Sequence, residues 1–168
     1  MTHEPVSVTT ARFPNEYGST TPDDLIPWSY VEEKLRSALN YWVATVSSSG
    51  TPHARPVDGV WVDGALCFGG SPETRWVRNL QANPAISVNL SSEAEAIILE
   101  GTAELVTDAA HSLAELSTAA SKEKYPQYAE LGLLDEFHPF WALRPRRAYA
   151  WTLEGFPKRA TKWSFAPG

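Results

Sequence analysis

Apolar positions change period along this chain, and the changes predict its elements. Ser29-Tyr30-Val31-Glu32 has the form of a capping box, in which serine and glutamate satisfy the first free backbone amides of a helix. That helix is predicted to reach about Asn40, with Val31, Leu35 and Leu39 on one face. From Tyr41 the period shifts to two. Tyr41 to Ser47 is rich in aromatic and β-branched residues and predicts a strand, Ser48 to Pro52 supplies a turn, and His53 to Val62 predicts a second strand. Asp63-Gly64 is the strongest short turn signal in the chain and leads into a third strand, Ala65 to Gly69. Three strands joined by tight turns predict an antiparallel meander.

Helix-start chemistry returns at Ser71-Pro72-Glu73: a capping hydroxyl, a proline suited to the first helical position and a carboxylate suited to the positive end of the dipole. Asn83-Pro84 ends this helix. Strands are predicted at Ala85 to Leu90 and Ala96 to Val106, the second interrupted at Gly101. A third helix runs from Asp108 to about Lys124 with Leu113 and Leu116 inward. Phe140 to Leu153 and Lys158 to Phe165 are closing strands, separated by a Gly155-Phe156-Pro157 turn. Strands arrive in hairpins rather than alternating with helices. The pattern therefore predicts a mainly β, α+β fold, a small antiparallel barrel flanked by about three helices, rather than a doubly wound sheet. Residues 1–27 contain Pro14, Pro22 and Pro27 and read as an irregular N-terminal arm ahead of a single domain over 28–168.

Composition narrows the functional classes. The 168 residues fit one domain on the usual prior of roughly 100–200. With 43% apolar and 20% charged residues the chain has an ordinary globular composition rather than a disordered one. A net charge of −6 argues against a nucleic-acid partner. No apolar core opens the chain and no apolar run approaches the ~18 residues of a membrane helix, so a cytoplasmic location away from membranes is expected. Charge is unevenly spread: residues 141–168 carry Arg144, Arg146, Arg147, Lys158, Arg159 and Lys162 against Glu154 alone. A basic tail on an acidic body points to self-association or to an anionic small ligand.

Candidate chemistry concentrates in residues 53–80. Arg55 lies on the second predicted strand, and Ser71 precedes a helix carrying Thr74 and Arg75. Hydroxyls, guanidinium groups and helix-start amides together suit a phosphate. Tyr41, His53 and Asp58 are the titratable side chains on these strands. Elsewhere the signals are weak. His3, His53, His111 and His138 are too widely spaced for a metal site. The single cysteine, Cys67, has no disulfide partner and reads as a buried small hydrophobe. Neither a Gly-x-Ser-x-Gly motif nor a glycine-rich phosphate loop is present.

The ordered series His53-Ala54-Arg55-Pro56-Val57, a tryptophan-bearing strand, Asp63-Gly64, Thr74-Arg75-Trp76-Val77-Arg78-Asn79-Leu80 and Asn83-Pro84 resembles the pyridoxamine 5′-phosphate oxidase-like split β-barrel family. The likeness covers residues 35–107 and extends to Trp151 and Thr161-Lys162-Trp163-Ser164-Phe165. It implies a six-stranded split barrel that forms a homodimer, with FMN or the deazaflavin F420 in grooves between subunits. Such a protein would be an oxidoreductase acting on a small-molecule substrate. By that resemblance Arg55, Thr74 and Arg75 hold the cofactor phosphate, with Ser71 at the same helix start. The backbone of Pro56, Val57, Asp58 and Gly59 lies against the ring, and Trp61 or the partner's Trp163 covers it. Two cations of the family's pattern are replaced, by Trp76 directly after the Thr-Arg pair and by Val60 on the strand. Arg78, or the partner's Arg144, Arg146, Arg147 or Lys162, would compensate. These losses shift the expectation slightly toward F420. With no evident acid–base residue, a non-catalytic carrier or sensor of flavin, deazaflavin or haem is the alternative.

Overall fold

The computed structural model describes residues 3–18 and 24–166. Nine strands, four α-helices and one short 3-10 helix (Asn15–Tyr17) occur among them: β1 (Ser7–Thr10), α1 (Trp28–Ser37), β2 (Tyr41–Val46), β3 (Pro52–Val57), β4 (Gly59–Val62), β5 (Ala65–Phe68), α2 (Arg75–Ala82), β6 (Ala85–Asn89), β7 (Glu95–Val106), α3 (Ser112–Lys124), α4 (Pro126–Glu130), β8 (Phe140–Thr152) and β9 (Thr161–Ser164). The predicted antiparallel, helix-flanked, mainly β fold is what the chain forms. Its detail differs from a six-stranded barrel, because the nine strands make one sheet that hydrogen bonds do not close. The order is β1-β9-β8-β7-β6-β2-β3, with β5 joined to β8 and β4 to β5.

Three local features set this topology. Asp63 and Gly64 both have positive φ (46° and 69°), so the two-residue loop closes the β4–β5 hairpin with the twist that flanking strands require. At Asp58 the predicted second strand breaks. β3 stays with β2, whereas β4 leaves to pair with β5, so the expected meander becomes two separate hairpins. In β8, Trp141 to Leu143 pair with β5 and Arg147 to Ala150 pair with β9. The exchange of partners falls at Pro145, which has no N–H to donate to a ladder. Beside it the β7–β8 register shifts between Glu100 and Gly101, where the sequence predicts an interruption: Glu100 pairs with Arg147 and Gly101 with Pro145, which leaves Arg146 as the extra residue on β8. A Cβ on Gly101 would lie 2.8 Å from the buried Leu143 side chain and 3.1 Å from the Arg144 carbonyl oxygen, so a larger residue there would have to displace its neighbours.

The core has two parts. Val31, Leu35, Tyr41, Val43, Leu66, Leu99, Leu143 and Trp163 are among the fully covered members of the larger cluster. Val60, Cys67, Leu113, Tyr125 and Ala142 form the smaller one, beneath α3. The β4–β5 hairpin lies between them and is buried on both faces, which is why its sequence is a nearly unbroken apolar run.

Other expectations are revised. Pro27, not Ser29, occupies the cap position of α1, and no side chain caps that helix. Because α1 stops at Ser37, Leu39 lies outside it and is 68% exposed. Leu116 likewise faces outward. His111 caps α3, its Nδ1 accepting from the Leu113 amide at 3.1 Å, while Asp108 holds the preceding turn. Within the segment expected to be irregular, Ser7–Thr10 pairs with β9. Pro22 lies outside the described residues.

Candidate functional site

β3 is an edge strand, and its alternation sorts its side chains. His53, Arg55 and Val57 lie opposite Thr45, Val43 and Tyr41, whose side chains point into the core. Val57 is buried, whereas His53 is half-buried and Arg55 is exposed, because the core ends before it reaches them. Helix α2 packs over this margin: Asn79, itself buried, donates through Nδ2 to Thr45 Oγ1 at 3.0 Å. Arg75, the first residue of α2, is thereby brought beside β3. Its proximity is felt by His53, whose imidazole pKa is lowered by partial burial and then by the charges of Arg55 and Arg75. Neither arginine is paired with a carboxylate among the described residues. Arg55 donates to the Ala54 carbonyl at 2.8 Å. No side chain caps α2, so its first-turn amides add to the positive potential.

The other predicted residues of this region divide into two groups. Ser71 and Thr74 shape the turn before α2. Ser71 Oγ accepts from the Glu73 amide at 3.2 Å, and the Thr74 hydroxyl donates to the Ser71 carbonyl at 2.7 Å. To donate to an anion, Thr74 must release that bond. Arg78 is exposed and its guanidinium donates to the Glu73 carbonyl. Pro56 and Asp58 are exposed, and Gly59 is buried. Trp76, Val60 and Trp61 turn inward. Trp76 packs on Phe68 with ring centroids 5.7 Å apart, and Gly70 passes so close that a Cβ there would lie 2.3 Å from its ring. Trp61 stacks edge-on to Trp28 and donates to Glu32 Oε1 at 3.2 Å. Trp163 is fully buried. Within one chain, therefore, neither Trp61 nor Trp163 offers an exposed face to a ring.

A second polar cluster lies where β3 gives way to β4; of its side chains the sequence singles out Tyr41 and Asp58 but not Lys124, Tyr125 or Tyr128. Lys124, the last residue of α3, donates to the Gly59 carbonyl and to the Tyr41 hydroxyl, both at 3.0 Å. Tyr125 accepts from the Gly59 amide at 3.0 Å and donates to the Leu39 carbonyl at 2.7 Å. Tyr41 in turn donates to the Leu35 carbonyl. Beside this knot the Tyr128 hydroxyl donates to Asp58 Oδ2. Burial raises the pKa values of Tyr41 and Tyr125 and lowers that of Lys124 to about 8, the nearby Asp58 carboxylate opposing the last shift. Gly59 is needed for a separate reason: a Cβ would approach the Cys67 carbonyl oxygen to 2.9 Å. Cys67 is buried and its thiol is pushed up to about 12. It is a packing residue, not a nucleophile.

The basic tail is distributed rather than gathered. Arg144 pairs with Asp63 at 3.0 Å, Arg159 with Asp24 at 3.1 Å, and Arg147 lies 3.9 Å from Glu100. Arg146 and Arg147 border an open groove of about 760 Å³ on the sheet, together with Val46, Pro52, Ser87 and Glu100. No described helix is long and apolar enough to cross a membrane.

An open antiparallel sheet flanked by helices, with Arg55 and Arg75 at the margin of an edge strand and a helix start, defines an α+β protein. The family model described as pyridoxamine 5′-phosphate oxidase matches residues 30–152, and the chain belongs to that family. No curated protein matches the sequence. Among solved structures, a conserved hypothetical protein from Mycobacterium tuberculosis is 17% identical with a TM-score of 0.64, over 80% of this chain and 89% of that one. A heme binding protein from Mycobacterium smegmatis is 20% identical with a TM-score of 0.64, over 83% of this chain and 59% of that longer chain. A protein related to general stress protein 26, of the pyridoxinephosphate oxidase family, from Clostridium acetobutylicum, is 17% identical with a TM-score of 0.58, over 81% and 92%. These structures share the fold.

Proposed function

We propose that this chain is a cytoplasmic oxidoreductase that works as a homodimer and transfers hydride between a flavin-type cofactor, F420 or FMN, and a small organic substrate. The carrying observation is the convergence of Arg55 and Arg75 beside His53, with no carboxylate among the described residues to neutralise them. Two unpaired guanidinium groups and uncapped helix amides are the donor set a phosphate requires. Family membership supports the same reading. Arg55 and Arg75 would anchor the phosphate, and the exposed stretch at Pro56 and Asp58 would lie beside the ring. When bound, the flavin-type group supplies the hydride chemistry, and the protein binds, orients and shields. The Asp58–Tyr128 pair would place proton-carrying groups on that stretch. Because Trp61 and Trp163 are buried in their own chain, cover for the ring has to come from other residues of the partner. We favour F420 slightly, since Trp76 and Val60 leave fewer cations for a compact phosphate.

The second reading, a carrier or sensor of flavin or haem without turnover, is favoured by the likeness in fold to the mycobacterial heme binding protein. Absorbance spectra after incubation with FMN, F420 and haem, followed by oxidation of the reduced cofactor with an organic acceptor, separate the two. The oxidoreductase reading requires binding of F420 or FMN and acceptor-dependent reoxidation. Binding of haem alone, or binding without turnover across a broad acceptor panel, goes against it.

A further inference from the structure

We propose that His53 is a third ligand of the bound anion beside Arg55 and Arg75, and that it takes up a proton as a phosphate group arrives. The inference rests on the phosphate site of the preceding reading and adds a residue and a pH dependence to it.

Geometry brings the group to the site. His53 and Arg55 are two residues apart on one strand and share a face, while the Asn79–Thr45 bond fixes α2 against the same margin. The Thr45 hydroxyl lies 3.4 Å from the His53 carbonyl, which holds the backbone and leaves the ring half-buried at the surface. Trp76 and Val60 are uncharged and buried, so neither position contributes to the anion site. The charges acting on His53 are Arg55 from its own strand and Arg75 from α2, and β2 adds the uncharged Thr45 hydroxyl.

Electrostatics then fixes the direction. In the free protein two cations oppose a third, and the imidazole is kept neutral to lower pH than usual. A phosphate monoester, whose second pKa is about 6, carries close to two negative charges above neutrality. Placed among these groups, it offsets both guanidinium charges and, in contact with the ring, favours the imidazolium. The proton comes from solvent, and the imidazolium N–H donates to a phosphate oxygen. Binding that takes up one proton weakens by about tenfold per pH unit between the free and bound pKa values of His53.

The test follows the four histidine ring signals by NMR from pH 5 to 9, with His53→Gln assigning one of them, first with inorganic phosphate and then with FMN and F420. Inorganic phosphate is expected to move the His53 midpoint upward. FMN affinity is expected to fall by up to about tenfold per pH unit above neutrality in the native protein, and the slope is expected to flatten in His53→Gln. A phosphate-induced shift without binding of FMN or F420 supports the His53 assignment and overturns the cofactor reading. Cofactor binding with no His53 shift, or with the same pH slope in His53→Gln, overturns the assignment and leaves the cofactor reading standing. No shift and no binding overturns both.

Discussion

Two polar clusters border the same strand, and they use their cations in opposite ways. Lys124 is an internal strut: its ammonium group is half-buried, spent on the Gly59 carbonyl and the Tyr41 hydroxyl, and it ties the end of α3 to the start of β4. Arg55 and Arg75 stand at the exposed margin of β3 and α2, where neither meets a carboxylate among the described residues. A buried cation has to be satisfied within the fold or it destabilises it. An exposed, unpaired cation cluster is stable in water and keeps its donors for a ligand. Stability should therefore depend on the knot, and binding on the margin.

The largest effect is expected from Tyr125→Ala. It removes a buried ring and leaves the Gly59 amide and the Leu39 carbonyl without their partner, at a cost of about 3–5 kcal/mol in urea unfolding. A loss below about 1 kcal/mol would mean that the knot does not hold β4. Arg75→Ala is expected to leave that unfolding curve in place and to weaken cofactor binding by about 1.5–3 kcal/mol, the scale of a charge-assisted hydrogen bond. An equal loss of stability in both variants would erase the contrast.

The pH dependence of stability sharpens the distinction. The Lys124 pKa is lowered to about 8 in the fold from an ordinary value near 10.5, so between these values the unfolded chain binds more protons than the native one. Stability from this group therefore rises with pH above about 8. Tyr41 and Tyr125, with raised pKa values, act in the opposite direction above about pH 10. The urea midpoint measured between pH 8 and 10 is expected to lose part of its upward slope in Lys124→Met. The smallest effect is expected at Cys67, whose thiol should remain unlabelled by a disulfide reagent until the protein unfolds.

Local chemistry was legible along the chain, and long-range partnership was not. Asp63-Gly64 required positive φ at both turn positions and has it. The alternation of Tyr41, Val43 and Thr45 announced the buried face of β2, and the β7–β8 register shift falls beside Gly101, where the sequence predicts an interruption, although the extra residue is Arg146 on the other strand. The capping box at Ser29 is not used: the helix begins one residue earlier, at Trp28, with extended Pro27 at its cap position. Trp61 reads equally well as a ligand cover or as core, and only the placement of Trp28 and Glu32 decides it. Lys124 shows the limit most clearly. Nothing within a helical turn of it signals that its partner is Gly59, 65 residues earlier, or Tyr41, 83 residues earlier. Arg55 and Arg75 were readable as candidates because one lies on a recognisable strand and the other at a recognisable helix start. Their meeting with His53 depends on how α2 packs.

The most direct test is a side-by-side tryptophan-fluorescence titration of the native protein and Arg75→Ala with FMN and F420 at neutral pH. The account predicts saturable quenching by one of the two cofactors, and an affinity roughly ten- to a hundredfold weaker in a variant that remains folded. Native protein that binds neither cofactor, or a folded Arg75→Ala variant with unchanged affinity, would contradict it.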